Sequence, residues 1–504
     1  MHNETVTILI NGQAHIAQRG VCLGSFLTDH HAGLPMPCGG HGRCGKCRVT
    51  VTGAVSPVSE AERRLLSPEE LAGGIRLACL TMAEGDCTVS TAVENAHRIC
   101  ADGEMPEVTL RPAFTAYGAA VDIGTTTLAA RLYDTDGTRL AETTAMNPQS
   151  AWGADVISRI EASLRGENRE LASSVRQAVD GMLRTLAEKA GIDAAQIDAL
   201  VITGNTAMLH LLTDTSPEPL SHAPFRAKRL FGETLPASAL DLSAAAADTP
   251  VYLPPCIGAF VGADTSTALL STQPDCSDKT RMLVDIGTNG EMVLWNGDTM
   301  LACSTAAGPA FEGAGISMGM SGSDGAVDHV TVVNGALHAH VIGGVSPVGI
   351  CGSGIVDAVA GLLDIEELDE TGFLEDDEAM VADPVVLTQE DIRMVQLAKS
   401  AIHAGIRTLL STAQTDCEQV DELLIAGGFG SYLDVKNAGK IGLLPEELIP
   451  RVRVIGNAAL SGASMLLLDR DLRKDCARHA RNARLVDLSA NPVFTNEYME
   501  RMLF

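Results

Sequence analysis

Two copies of one short hairpin signature, V-D-I-G-T-T-T at 121–127 and V-D-I-G-T-N-G-E-M at 284–292, constrain this chain more than any other feature. In each copy a strand ends on a carboxylate, a tight glycine turn follows and a second strand leaves. The two aspartates, Asp122 and Asp285, stand 163 residues apart. That period is too long for a solenoid and reads as a duplicated lobe. The flanking pattern repeats too. Strand, turn, strand, turn, strand covers 118–145 and again 281–303. Later in each half a long amphipathic helix leads into a strand and a glycine turn. Leu171, Val175, Val179, Leu183 and Leu186 mark the first helix, and A-L-V-I-T runs to Gly204-Asn205. Ile392, Val395, Ile402, Ile406 and Leu409 mark the second, and E-L-L-I-A runs to Gly427-Gly428.

The first ninety or so residues have a different character. T-V-T-I-L-I at 5–10 alternates, Asn11-Gly12 is a hairpin turn, and R-V-T-V-T at 48–52 and C-T-V-S-T at 87–91 read as strands. Leu23, Phe26 and Leu27 place apolar groups on one helical face. Cys38, Cys44, Cys47 and Cys79 are spaced C-x5-C-x2-C-x31-C, just before, in and after the glycine-rich run G-G-H-G-R-C-G-K-C. Four thiolates at this spacing suit a 2Fe–2S cluster. Glycines let such a loop wrap a cluster and aim N–H groups at its sulfurs. A structural zinc site is the alternative, but zinc usually takes two C-x2-C knuckles and only one is present. Cys22, Cys87 and Cys100 fall outside the pattern and read as buried or incidental thiols.

The repeated hairpins suit phosphate. Each glycine lets backbone N–H groups approach phosphate oxygens, and Thr125, Thr126, Thr288 and Asn289 add side-chain donors. Asp122 and Asp285 would face each other across a cleft and hold hydrated Mg²⁺ between the lobes.

Composition narrows the partners. The chain has 504 residues, 46% of them hydrophobic, enough for two or three domains with cores. No apolar run reaches the ~18–20 residues of a membrane helix, and no signal pattern opens the sequence, so a cytoplasmic location is expected. Thirteen cysteines then point to metal ligation or redox work rather than disulfides. A net charge of −28 and 3% aromatics argue against nucleic acid and anionic membranes as partners. The expected organisation is a cluster domain over 1–94, a linker over 95–115, and a duplicated domain over 116–504. Its lobes fall at about 116–270 and 281–455, followed by a helix and tail at 456–504.

The duplicated hairpins resemble those of the sugar kinase, heat-shock chaperone and actin superfamily of ATPases. That resemblance implies ATP and gives roles to further residues. The two loops, with Gly124 and Gly287, are the phosphate motifs. G-G-F-G at 427–430, with Gly427, Gly428 and Phe429, is similar to the adenosine motif. G-A-D-T-S-T-A-L-L at 262–270 and G-N-A-A-L-S-G-A at 456–463 resemble the two connecting helices. Asp264 stands where the chaperones carry an acid that orients Mg²⁺ or attacking water, or else it caps a helix. A-G-P-A-F-E-G at 307–313 resembles a glycine–acid loop, which brings Gly308 and Glu312 near ribose or phosphates. Asn205 positions water or caps the next helix. Cys351 in C-G-S-G reads as a turn at a helix start rather than a nucleophile, and His210 reads as core.

As a whole the chain resembles the reductive activators of corrinoid proteins, on V-D-I-G-T-T-T, T-G-N-T-A-M-L-H, V-D-I-G-T-N-G-E, A-A-G-P-A-F-E-G, G-I-C-G-S-G and I-A-G-G-F-G in that order. The implied fold is an α+β β-grasp ferredoxin-like domain followed by an α/β duplicated actin-like ATPase. The implied activity is ATP-dependent transfer of an electron from the cluster to Co(II), regenerating Co(I). A low-potential ferredoxin-like donor and a corrinoid protein of a methyltransferase system are the implied partners, and a homodimer is compatible. Longer relatives carry an extra domain where this chain has only a linker, so contacts that depend on that domain do not carry over. Rival readings are a dehydratase-type electron activator, a small-molecule kinase with a fused redox sensor, and a chaperone-like client binder. The first lacks an appended ferredoxin, the second predicts net phosphoryl transfer, and the third predicts no need of a reductant.

Overall fold

The computed structural model describes residues 5–30, 34, 36, 40, 42, 45, 47–91, 103–276, 278–297 and 299–504. The chain divides into two compact units, Met1–Ala96 with Pro148–Glu167, and His97–Asn147 with Asn168–Phe504. The first unit therefore takes in a segment that the sequence reading assigned to the duplicated domain.

The first unit is built on β1 (Thr5–Ile10), β2 (Gln13–Gln18), β3 (Val21–Cys22), β4 (Arg48–Val55), β5 (Ile75–Leu77) and β6 (Met82–Thr91). The sheet order is β2-β1-β6-β4-β5, with β3 on β6. Asn11 and Gly12 both take positive φ, so the β1–β2 turn matches the strands' right-handed twist. β1 and β6 run parallel at the centre. Alternation puts Val6, Ile8 and Ile10 inward, where Leu23, Phe26 and Leu27 of the helix Leu23–Asp29 close the core. A buried ion pair braces the segment that carries Cys79. Glu62 caps its own helix through Ser59 and takes Arg76 Nε at 2.8 Å and Nη2 at 3.0 Å. It also accepts the Leu77 N–H at 3.2 Å.

The second unit contains the duplication. Its first lobe has β7 (Tyr117–Ile123), β8 (Thr127–Asp134), β9 (Arg139–Met146), β10 (Ile197–Gly204), β11 (Glu233–Pro236) and β12 (Pro250–Leu253), ordered β11-β12-β10-β7-β8-β9. Its second lobe has β13 (Arg281–Ile286), β14 (Gly290–Trp295) and β15 (Met300–Thr305). A small sheet follows, of β16 (Ala326–Val333), β17 (Ala336–Val341) and β18 (Gly349–Ile350), and then the hairpin β19 (Glu378–Ala382) and β20 (Val385–Thr388). β21 (Glu422–Ala426), β22 (Val452–Gly456) and β23 (Arg484–Leu485) complete the lobe, in the order β22-β21-β13-β14-β15-β23. In both lobes an antiparallel three-strand meander abuts parallel strands on its first member.

Helices Ala263–Ser271 and Ala458–Leu468 cross where Gly462 meets the other backbone. A Cβ there would lie 1.9 Å from Thr267 O. Residues 103–113, read as linker, are bonded to this part of the unit. Glu104 N–H donates to Ile455 O, Arg111 N–H to Leu468 O and Ala113 N–H to Leu467 O. Arg111 also pairs with Asp469 and Asp471. The tail beyond 456 likewise belongs to the lobe. β23 extends its sheet, and buried Lys399 donates to the carbonyls of Arg501 and Leu503 at 2.6 Å each.

Candidate nucleotide and cluster sites

The strand ends of both lobes open into one cavity. Asp122, Gly124, Thr125, Thr126, Asn205, Asp264, Asp285, Gly287, Thr288, Asn289, Glu312, Gly427, Gly428 and Phe429 all line it. Gly308 does not. Its N–H instead donates to Thr288 O at 2.9 Å and fixes the second loop from behind. The first loop is fixed by Asn147, whose side chain donates to Gly124 O at 2.8 Å. Gly427 has φ +95°, and a Cβ there would stand 2.7 Å from Asp285 Oδ1.

The carboxylates crowd each other. Burial, then the charge of Asp264, pushes Asp122 up to about 7. Burial, then Asp264, Asp122 and Glu312, pushes Asp285 to about 7. Burial takes Asp264 to about 6. Glu291, in the second loop's own signature, also lines the cavity and is raised well above the carboxylate range by burial and by Asp264 and Asp285. Among the described residues no three acidic, histidine or cysteine side chains gather closely enough to ligate a metal directly. Mutually repelling carboxylates in one cavity are a donor set that would fit a hydrated Mg²⁺ held through its waters.

Glu312 joins the two D-I-G-T loops. Its Oε2 accepts Thr288 Oγ1 at 3.0 Å and also accepts the hydroxyl of Thr126 from the other lobe. The two asparagines at helix starts act alike. Asn205 caps the helix Thr206–Leu212 and donates to Thr125 Oγ1 at 3.1 Å. Asn457 caps Ala458–Leu468 and donates to Asp122 Oδ2 at 3.1 Å. Asn205 therefore both caps and faces the cavity. Asp264 lies in the first turn of its helix, whose cap is Gly262. Cys351 is the N-cap residue of Gly352–Asp364, and its thiol is 3.4 Å from Ser353 Oγ. His210 is fully buried, its Nδ1 2.7 Å from Thr206 O. Phe311 and Phe429 stack 5.1 Å apart at 14° and form an aromatic wall.

Asn457, Glu291 and Phe311 line the cavity without being singled out by the sequence. The signal for Asn457 was the dipeptide Gly-Asn, which ends a strand at 204–205 and again at 456–457.

In the first unit Cys47 and Cys79 bring their sulfurs to 3.2 Å as free thiols. Cys38 and Cys44 lie outside the described residues. Gly40, Gly42 and Gly45, in the stretch from Cys38 to Cys47, take positive φ. A Cβ on Gly24 would stand 2.9 Å from Cys79 Cα, so the helix backs directly onto this cysteine. The Cys79 thiol donor, outweighing burial, lowers Cys47 to about 7. Two unbridged thiols at this separation fit neighbouring ligands of one iron.

A two-lobed cavity rimmed by the repeated D-I-G-T hairpins in one unit and a cysteine pair in a β-grasp sheet in the other are the marks of an ATPase of the actin-like class fused to an iron–sulfur domain. Sequence comparison agrees with both halves. Residues 9–84 match the 2Fe-2S iron-sulfur cluster binding domain, 117–276 the RACo middle region, and 279–504 the C-terminal domain of RACo, the ASKHA domain. The chain is 37% identical over 425 residues to the corrinoid activation enzyme RamQ of Eubacterium limosum, a match covering 77% of this chain and 70% of RamQ. It is 25% identical to the [Co(II) methylated amine-specific corrinoid protein] reductase of Methanosarcina barkeri, over 76% of each chain. The solved structure of a reductive activator for corrinoid, iron-sulfur protein superposes with a TM-score of 0.73 at 27% identity, over 99% of this chain and 98% of the other. The chain belongs to the family of reductive activators of corrinoid proteins. No helix among the described residues is long and apolar enough to cross a membrane.

Proposed function

We propose that this protein uses ATP to drive reduction of Co(II) to Co(I) in the corrinoid protein of a methyltransferase system. The reaction balances as one electron delivered to one cobalt. The observation that carries the reading is the presence, in one chain, of a paired-thiol β-grasp unit and a cavity whose two phosphate loops face each other. When bound, a 2Fe–2S cluster supplies the electron, at about −400 mV for plant-type centres. A one-electron gap costs tenfold in equilibrium for each ~59 mV. A chain that only carried electrons could not cross a large gap, and a nucleotide-driven change of state can.

The chain's own residues supply that change. The backbone of Gly124 and Gly287 and the hydroxyls of Thr125, Thr126 and Thr288 take the phosphates. Gly427, Gly428 and Phe429, with Phe311, take the adenosine. Asp122, Asp264 and Asp285 would hold a hydrated Mg²⁺, which would neutralise phosphate charge. Because these groups come from both lobes, holding one nucleotide draws the lobes together. A low-potential ferredoxin-like protein re-reduces the cluster.

The test is anaerobic absorbance of a Co(II) corrinoid protein mixed with this chain and a reductant. Growth of the Co(I) band only with ATP supports the reading. Unchanged Co(II) across several corrinoid proteins, with ATP hydrolysed and the cluster intact, would sink it.

A further inference from the structure

Outside the cavity, the loop 256–261 is the junction of two surface segments. It folds on itself, the N–H groups of Ile257 and Gly258 donating to Val261 O at 3.0 and 2.9 Å. On one side it holds the segment around 225–230. Cys256 N–H donates to Leu230 O at 2.8 Å, and Phe260 meets Phe225 edge to face at 5.4 Å. On the other side Leu485 of β23 rests against Gly258, where a Cβ would stand 2.4 Å from Leu485 Cδ1. Phe225, Leu230 and Leu485 are 44%, 45% and 48% exposed.

Cations flank these apolar groups along the chain. Six of the chain's 36 lysines and arginines fall between 470 and 484, in a protein of net charge −28, so the segment is a local reversal of sign. Some of the basic residues here serve the fold. Arg478 pairs with Asp275 and Asp475, Arg473 lies over the Tyr252 ring, and Arg229 pairs with Glu233. Arg226, Lys228, Arg481 and Arg484 are exposed, and none makes an ion pair with another described residue. An apolar centre with a charged rim is the anatomy of a protein-binding surface.

Its position ties it to the cavity. Segment 225–230 and loop 256–261 belong to the first lobe, and β23 to the sheet of the second. Thr206, in the helix capped by Asn205, donates to Gly258 O at 2.6 Å. The loop runs on through Gly262, where a Cβ would stand 2.4 Å from Asn205 Cα, to Asp264 in the cavity. A partner seated here touches both lobes and the strand of chain that carries a cavity acid.

We propose that this surface docks an acidic face of the corrinoid protein itself, a proposal that rests on the function proposed above. The client, not the electron donor, is the occupant because ATP has to act on the complex with the client. A seat shared by two nucleotide-bridged lobes senses ATP, and by linkage its occupant alters nucleotide binding in return. Donor docking needs no such sensitivity.

The experiment compares wild type with Arg481→Glu/Arg484→Glu and, on the other segment, Arg226→Glu/Lys228→Glu. The probe is a methylamine-specific corrinoid protein in its Co(II) state. Both double variants are expected to raise the KM for that protein about tenfold or more at low salt, and to flatten its rise with added salt. Client-free ATP hydrolysis, cluster absorbance and cluster reduction by a ferredoxin stay at wild-type levels, which also shows that the variants fold. An unchanged KM in both variants, with wild type active, overturns the proposal. So does a loss confined to cluster reduction by the ferredoxin, which would make the surface the donor's. A wild type that never reduces Co(II) with ATP in any of several corrinoid proteins defeats the functional reading itself.

Discussion

The side-chain amide of Asn457 donates to Asp122 Oδ2 at 3.1 Å, across 335 residues of sequence. Asn457 opens one connecting helix, and Asp122 ends the first strand of the other lobe's meander. The bond favours the charged carboxylate against burial and against Asp264. Hydrogen bonds to charged groups contribute roughly 1.5–3 kcal/mol. Asn457→Ala is expected to lower ATP hydrolysis by about ten- to a hundredfold, since tenfold corresponds to about 1.4 kcal/mol. Steady-state hydrolysis against Mg²⁺ concentration checks this, and a rate within twofold of wild type would refute it.

Glu312 accepts hydroxyls that a phosphate would also accept from. A nucleotide must therefore displace a like-charged group, which is costly where charges face each other. Glu312→Gln keeps the shape and removes the charge. ATP is expected to bind about tenfold tighter to this variant, as read from a fluorescent ATP analogue. Weaker binding would mean that Glu312 supports the nucleotide directly.

Gly462 has no room for a side chain, because Thr267 O would lie 1.9 Å from its Cβ. Overpacking of this kind costs about 1–3 kcal/mol, occasionally more. Gly462→Ala is expected to separate the connecting helices, lower the melting temperature of the second unit and reduce hydrolysis. Calorimetry resolves the two units, and the cluster absorbance of the first should be unaffected.

Glu62 gives the first unit an acid-sensitive brace. Burial works to raise its pKa, but the bonds from Arg76, Ser59 and Leu77 outweigh burial and hold it at about 2, below the ordinary 4.5. A lowered folded-state pKa means that the group stabilises fully above about 4.5 and loses that contribution as pH falls toward 2. Glu62→Gln strands Arg76 as a buried unpaired charge and is expected to cost about 3–5 kcal/mol. It should also flatten the unit's stability between pH 4.5 and 2. Denaturant midpoints of the cluster-free protein followed by circular dichroism across that range would show either slope.

Cys47 and Cys79 meet at 3.2 Å. Replacing either with serine is expected to abolish the visible cluster absorbance and Co(II) reduction while leaving ATP hydrolysis largely intact. Surviving Co(II) reduction would rule out the cluster as the electron's route.

Much of this fold is legible in the sequence because the decisive signals are local. Asn11-Gly12 fixes a hairpin by backbone geometry, D-I-G-T fixes two more, and the apolar stripes of 168–190 and 389–413 need no partner to be recognised. What escaped depends on contacts far along the chain. Residues 103–113 look like linker because their carbonyl partners lie beyond residue 450. Two-residue β23 has no periodicity to read, yet it pairs with Leu301 and Ala302. Glu291 is quoted in its own motif, but only burial beside Asp264 and Asp285 makes it part of the site.

The late arrival of β23 and of the carbonyls that cover Lys399 bears on the order of synthesis. Lys399 leaves the ribosome about a hundred residues before Arg501 and Leu503, and until they follow it stays hydrated and charged. Once covered, burial lowers its pKa to about 7. The second lobe therefore cannot reach its final burial before residues 484–503 have been made, however early its meander forms. A chaperone that holds this lobe would have to wait for residues 484–503.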